Sequence, residues 1–293
     1  MNYRHAFHAG NFADVVKHAV LALLIERLKA KDTAFRVIDT HAGVGMYDLT
    51  ADEATRTGEW QQGIGRLWNQ PRPQALEALL APYLAAVAAA NGAPEAAPLT
   101  RYPGSPWIAR HLFRRQDRLT AVELHPEDAA ALEHQFAGDV QVRTIALDGW
   151  LALGAFVPPK ERRGLVLVDP PFEDRGEFTT MLERFVEAHR KWPTGIYALW
   201  YPVKDLPAVD AFRVGLTKSG VPRLLRAELA IRSREAAGTF NGTGLVICNP
   251  PWQFAETLSA LLSGLAPLLA QADGAASLID EIAGEQGGGR NHS

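Results

Sequence analysis

One apolar run of this chain ends in an acid, two prolines and an aromatic: Gly164 to Asp174 reads GLVLVDPPFED. These residue types in this order suit one chemistry. An exocyclic adenine amine is a weak nucleophile because its lone pair is delocalised into the ring, so a protein that makes it react must accept hydrogen bonds from both of its N–H groups. Asp169 and the Pro170 carbonyl are two such acceptors. The prolines remove backbone donors and stiffen the loop, and Phe172 offers a face for a base withdrawn from its helix. Once alkylated, the nitrogen is so acidic that a carboxylate of ordinary pKa suffices to take its proton. A second copy of the pattern, Asn249-Pro250-Pro251-Trp252, ends the run GLVIC. It follows a glycine loop by six strands and falls in a terminal strand pair, so it is expected to be a strand stop with Trp252 packed on the sheet.

Residues at strand ends need a sheet to present them. Short apolar or β-branched runs are predicted as strands at Leu119–Glu123, Val140–Ile145, Leu165–Asp169 and Ile196–Trp200, after a first strand in FRVIDTHAGVG. Helix-length segments such as Pro126–Phe136 and Phe178–Lys191 separate them. That alternation predicts an α/β fold with a mostly parallel sheet covered on both faces. Asn11 is a candidate cap for a helix over Phe12–Lys31. Leu225–Ile231 alternates and predicts a half-exposed strand, antiparallel to the run Leu245–Cys248. The interval from Asp39 to Glu123 is about four times the ~20 residues of a plain nucleotide fold, and it contains ALEALLAPYLAAVAAA. A helical insertion over 49–109 is therefore expected within a main domain of 1–48 and 110–270, with a disordered glycine-rich tail over 271–293.

Ligands of an open α/β sheet bind beyond the carboxyl ends of the strands. Asp39 ends the first strand there, and Gly43 and Gly45 permit close approach of backbone to a ligand. Glu123 can accept from the two hydroxyls of a ribose, and Asp148-Gly149 can hold an adenine edge through a carboxylate and an amide. Lys17 shares a helix stripe with Leu21, Leu24 and Leu28, an odd place for a cation unless the first turn faces a site. With His18 it could meet a carboxylate such as that of a methionine moiety.

Net charge is −3, so no general attraction to a polyanion or an anionic membrane is expected and any RNA surface must be local. Arg110, Arg114 and Arg118 recur every four residues, which predicts one helix face for phosphate contact or simple solvation. Lys160, Arg162 and Arg163 form a second basic cluster. The single cysteine, Cys248, lies in an apolar run; it excludes an intramolecular disulfide and makes a thiolate metal site unexpected. No metal is expected. No run reaches the ~18 apolar residues of a membrane span, and MNYRHAFHAG lacks a signal-peptide core, so a cytoplasmic monomer without a membrane partner is expected.

The Asp169–Phe172 pattern resembles motif IV of the S-adenosylmethionine-dependent amino-methyltransferases. Together with YRHAFHAGNFADVVKH, DTHAGVGMYDL, YPGSPWIA, ELHP, LVDPPF, YALWYPV and NPPW, in that order, it resembles the bacterial ribosomal RNA large-subunit methyltransferase J family. The resemblance implies a Rossmann-like class I fold with a seven-stranded sheet and an antiparallel terminal strand. It implies S-adenosyl-L-methionine as cofactor and N6 methylation of an adenine in 23S rRNA, position 2030 in that family. It places Lys17, His18, His41, Ser105, Glu123, Asp148 and Gly149 at cofactor positions, Asp169 as catalytic acceptor, and Tyr3 and His5 at the substrate. Ser105 follows from the resemblance alone. The family more often has tyrosine at Phe172, which keeps stacking but removes any hydroxyl role, and often histidine at Phe12. A DNA adenine methyltransferase would share every cofactor residue, and a non-catalytic RNA-binding protein with this fold is a third reading.

Overall fold

The strand that carries Asp169 sits deep because its sequence leaves it no wet face. In the computed structural model, which describes residues 5–92, 98–174, 176–236 and 240–284, all five residues of Gly164–Val168 are buried. Helix α1 (Phe12–Lys29) comes first, capped as expected by Asn11, whose Oδ1 accepts from the amides of Ala13 at 2.9 Å and Asp14 at 3.1 Å. Strands β1 (Arg36–Asp39) and β2 (Met46–Asp48) follow, then helices α2 (Asp52–Thr57), α3 (Glu59–Gln62), α4 (Ile64–Asn69) and α5 (Gln74–Asn91), then β3 (Arg101–Pro103) and α6 (Ser105–Leu112). Next come β4 (Arg118–Glu123), α7 (Pro126–Gln135), β5 (Val142–Ala146), α8 (Gly149–Ala155) and β6 (Gly164–Val168). The chain continues with α9 (Glu177–Lys191), β7 (Ile196–Val203), α10 (Leu206–Lys218), β8 (Leu224–Ala230), β9 (Gly242–Cys248), α11 (Phe254–Leu269) and β10 (Ala276–Ala283).

The main sheet runs β10-β8-β9-β7-β6-β1-β4-β5, with β5, β4, β1, β6 and β7 parallel and β9, β8 and β10 each joined by antiparallel pairing. Its parallel part has the strand order of a doubly wound fold, and the whole is the class I methyltransferase arrangement that the resemblance implies. One face packs against α1, α5, α6 and α11, and the other against α8, α9 and α10. Of the insertion, Leu76, Leu80 and Tyr83 join the same apolar cluster as α1. Each leucine buried there stabilises the fold by roughly 1.5–3 kcal/mol, which binds the inserted helices to the main body.

Eight strands replace the expected seven. The eighth, β10, lies in the stretch expected to be a disordered tail, of which 285–293 fall outside the described residues. It pairs along β8 from Ala276↔Ala230 to Ala283↔Leu224 and covers an edge whose amides and carbonyls would otherwise be unpaired. This also overturns the half-exposed reading of Leu225–Ile231, because every residue of β8 is buried. The alternation is present, but its polar side is neutralised rather than wet. Asp280 accepts from Arg226 Nε at 2.7 Å and Nη2 at 2.9 Å, and Glu228 accepts from Tyr201 Oη at 2.7 Å and pairs with Arg234 at 2.8 Å.

Strand direction separates the two proline motifs. Because β9 runs antiparallel to β7 with Cys248 opposite Tyr197, Asn249 emerges at the amino ends of the parallel strands, away from Asp169. Asn249 is a strand stop with φ +54°, its Nδ2 donating to the carbonyls of Pro193 and Gly195 at 2.8 Å each. Trp252, expected to pack on the sheet, is instead 83% exposed.

Candidate active site

The carboxyl ends of β1, β4 and β6 and the start of α8 converge on a cleft of about 880 Å³ including its open mouth. Lys17, His18, His41, Gly43, Ser105, Glu123, Asp148, Gly149, Asp169 and Pro170 all line it, although they are scattered over 154 residue positions (17 to 170). Asp39 stands just behind, fully buried, and accepts from Ser105 Oγ at 2.6 Å. The short β2–β3 pair makes that contact possible, since it returns the chain from the insertion to the end of β1 (Met46↔Pro103, Tyr47↔Tyr102), and α6 begins at Ser105. Burial raises the Asp39 carboxyl to about 7 against the opposing Ser105 hydroxyl, and its Oδ1 has no hydrogen-bond partner among the described residues.

Glu123 closes β4 with both oxygens oriented: Oε2 accepts from the Gly43 amide at 2.9 Å and Oε1 from the His125 amide at 2.8 Å. A carboxylate has about four acceptor sites, so two remain for hydroxyl donors. Gly43 turns with φ +59°, and a Cβ there would lie 2.2 Å from Tyr47 Oη; at Gly149 it would lie 2.3 Å from the Thr40 carbonyl. Both glycines are required by close approach. Asp148 caps α8 through Oδ1, which accepts from the Leu151 amide at 3.0 Å. His41 packs edge-on to Trp150 at 5.2 Å, and burial lowers it to about 4, so it is neutral near pH 7.

Lys17 and His18 both line the cleft, and each has a partner within the protein. The Lys17 ammonium lies 2.8 Å from Asp14 Oδ1 and 2.5 Å from Asp169 Oδ2, and 5.6 Å from the Trp200 ring centre. Burial alone would favour the neutral amine, but Asp14 and Asp169 outweigh it and hold the ammonium above its ordinary pKa. His18 Nδ1 instead contacts Tyr102 Oη at 2.7 Å, which bonds Tyr83 Oη at 3.0 Å. The cation is fixed on one oxygen of Asp169, and the imidazole is fixed to the insertion.

Phe172 flanks the cleft. It has φ +52°, its ring lies 4.8 Å from Phe178 and edge-on 5.8 Å from Trp200, and it is half-buried beside the cleft rather than among its lining residues. Sequence reasoning missed Glu177, the first residue of α9, which lines the cleft beside Pro171 and is 8% exposed. Its carboxylate takes the Phe172 and Glu173 amides, and burial with the nearby Asp174 pushes it up to about 7. The only signal in the sequence is an acid at a helix start, which ordinary capping explains equally well. Tyr47 and Trp150 were missed for the same lack of a distinguishing pattern.

The arginine trio does not share a helix face. Helix α6 ends at Leu112, Arg114 lies in the following turn, and Arg118 begins β4. Arg110 pairs with Asp139 at 2.5 Å, and Arg114 pairs with Asp117 at 3.0 Å and donates to the Lys31 carbonyl at 2.8 Å. Phe113 ends the helix with extended backbone, and Asp117 recruits Arg114 to brace the turn. Tyr3 lies outside the described residues, and His5 is described only as the start of a 3-10 turn, His5–Phe7. Among the described residues no group of three or more His, Cys, Asp or Glu forms a metal site, and no helix is long and apolar enough to cross a membrane. Cys248 is buried, its thiol pushed up to about 12 by burial.

S-adenosyl-L-methionine fits this donor set. An orphaned buried oxygen on Asp39, an oriented Glu123 and two glycines without room for a Cβ suit a nucleoside with a cationic amino-acid tail. The acids of the cleft suit a sulfonium charge.

Comparison with known proteins gives a consistent result. A family profile described as "Ribosomal RNA large subunit methyltransferase D, RlmJ" matches residues 32–280. The chain is 41% identical over 266 residues to the ribosomal RNA large subunit methyltransferase J of Escherichia coli (strain K12), covering 90% of this chain and 92% of that one. It is 41% identical over 272 residues to the protein of the same name from Haemophilus influenzae, covering 91% and 95%. A crystal structure of a Legionella pneumophila protein superposes with a TM-score of 0.84 at 31% identity, over 95% of this chain and 99% of that one.

Proposed function

Because this chain belongs to the ribosomal RNA large subunit methyltransferase J family, we propose that it transfers a methyl group from S-adenosyl-L-methionine to the exocyclic N6 amine of an adenine in 23S rRNA, at the position 2030 that the family resemblance implies. The observation that carries this reading is Asp169, held at the end of a fully buried strand in the same cleft as Glu123. When bound, the cofactor supplies an electrophilic methyl group on a sulfonium centre. Glu123 would hold the ribose hydroxyls, Asp148 and Gly149 the adenine edge, and Asp39, through Ser105, the amino-acid end.

Lys17 fixes Asp169 Oδ2 at 2.5 Å, which leaves Oδ1 to accept one hydrogen of the target amine while the Pro170 carbonyl accepts the other. This restores electron density to N6. With the methyl group supplied to N6, Asp169 would accept one proton of the amine, so that the nitrogen ends neutral. The half-exposed Phe172 stacks on the extruded base, and Tyr3 and His5 contact the RNA next to it. Preorganised acceptors of this kind need little reorganisation at the moment of reaction.

The test is methylation of a 23S rRNA fragment with labelled cofactor, followed by nucleoside analysis, with a matched DNA oligonucleotide alongside. Label in N6-methyladenosine from the RNA alone is expected. Label in another nucleoside, or equal transfer to DNA, would overturn the substrate assignment.

A further inference from the structure

The proposed substrate is a polyanion, yet the reaction cleft is a poor place to bind phosphates. Glu123, Asp128, Asp148, Asp169 and Glu177 line it, against the single cation Lys17, and the whole chain carries a net −3. Local fields decide encounter and retention, and a low-dielectric cleft focuses the sign of its own charges. The affinity for RNA backbone must therefore come from another surface.

At the opposite end of the sheet, the amino ends of β1, β4 and β5 and the turn before β6 enclose a second hollow, about 950 Å³ including its open mouth. Arg36, Arg118, Arg143 and Lys160 line it, and no acid does. Fold topology joins here two basic clusters that are separate in the sequence, one ending at Arg118 and one beginning at Lys160. Arg36 is the structural member, bidentate to Glu161 at 2.8 and 2.9 Å. The Arg118 guanidinium donates to the neutral carbonyls of Arg115 and Asp117 rather than to a carboxylate, although its charge is felt by Glu161. Arg143 is exposed with its guanidinium 5.9 Å from the Phe156 ring centre. Lys160 and the adjoining Arg162 are exposed and have no ion-pair partner among the described residues.

We propose that this basic hollow is a second RNA-contacting surface, which takes phosphate groups of the substrate away from the target nucleotide. The inference rests on the rRNA methyltransferase reading and adds where the backbone is held. The hollow and Asp169 are separated by strand β6, five residues long, or roughly 17 Å at strand rise. That span lets one structured RNA reach both ends, whereas a short oligonucleotide in the cleft does not need the second.

The test combines Arg143→Gln, Lys160→Gln and Arg162→Asn in the full chain, with asparagine at the last position because its φ is +53° and asparagine tolerates that region. Affinity for a structured 23S rRNA fragment is measured by anisotropy from 50 to 300 mM salt. Each lost phosphate contact removes ~0.7–0.9 from the slope of log K against log salt, so the triple variant is expected to lose about 2 to 3 and to bind roughly a hundredfold more weakly near 0.1 M. Cofactor affinity, melting temperature and methylation of a minimal oligonucleotide should match the unaltered protein. Neutralising Arg184, Arg190 and Lys218, three exposed cations elsewhere, controls for total charge and should leave the slope within half a unit. An unchanged slope and affinity in the triple variant, or an equal loss in the control, would overturn the proposal. Failure of the methyltransferase reading is seen separately, as absent methylation by the unaltered protein.

Discussion

Asp39→Asn should make the protein more stable and a worse enzyme, and the gain should appear only as pH rises. Asp39 is buried, its unfolded-state pKa is 3.8, and burial lifts the folded value to about 7. Below pH 3.8 the group is protonated in both states and has no effect. Between 3.8 and 7 the unfolded chain releases the proton while the folded protein retains it, so stability falls as pH rises. Above pH 7 the full shift, 7 − 3.8, corresponds to a loss of about 4 kcal/mol. At pH 5 only about 1.6 kcal/mol of it has accrued. Asparagine has no charge to desolvate and still accepts from Ser105 Oγ, but its new amide leaves donors unpartnered beside the orphan site, a penalty of roughly 1–3 kcal/mol. The two terms nearly cancel at pH 5 and leave a net gain of about 1–3 kcal/mol at pH 8. For a chain of this size that is a Tm higher by roughly 2–10 °C. Thermal unfolding without cofactor from pH 5 to 8, for both proteins, measures it directly. A Tm difference that is the same at both ends of the range would refute the buried-carboxyl argument. Cofactor affinity should fall in the same variant, because the negative charge facing the amino-acid end is gone.

Removing the proposed proton acceptor with Asp169→Ala should lower turnover by ~10²–10⁴ and leave the cofactor Kd within a few-fold by calorimetry, since Lys17 keeps Asp14 as partner; near-normal turnover would rule out the role. Glu123→Ala should chiefly weaken the cofactor, by ~1.5–3 kcal/mol for each charge-assisted hydrogen bond lost, and an unchanged Kd would exclude the ribose contact. Asn249→Ala should lower stability by about 1–3 kcal/mol, through two lost hydrogen bonds to carbonyls and a left-handed backbone unsuited to alanine, while turnover per folded molecule stays unchanged. A stable but inactive Asn249 variant would mean that the second proline motif takes part in the reaction.

Much of this molecule was legible from local pattern. The apolar runs that end in Asp39, Glu123 and Asp169 identify themselves as parallel strands because such strands are buried on both faces, and a ligand loop follows from where those strands end. Asn11 as a cap and Gly43 as a close-approach turn are likewise local facts of backbone chemistry. Tertiary structure decided the rest. It put Asp169 and Asn249, which end strands of opposite direction, at opposite ends of the sheet. It set Lys17 between Asp14 and Asp169 and turned Phe172 toward Phe178. It buried Arg226 and Glu228 under β10, and brought Arg118 next to Lys160. In each case the deciding partner lies far along the chain, and periodicity reports which face of an element is apolar but not what that face will meet. Pairing of distant strands and neutralisation of buried charge are free energies of the assembled protein, and they arise only when the whole sheet has closed.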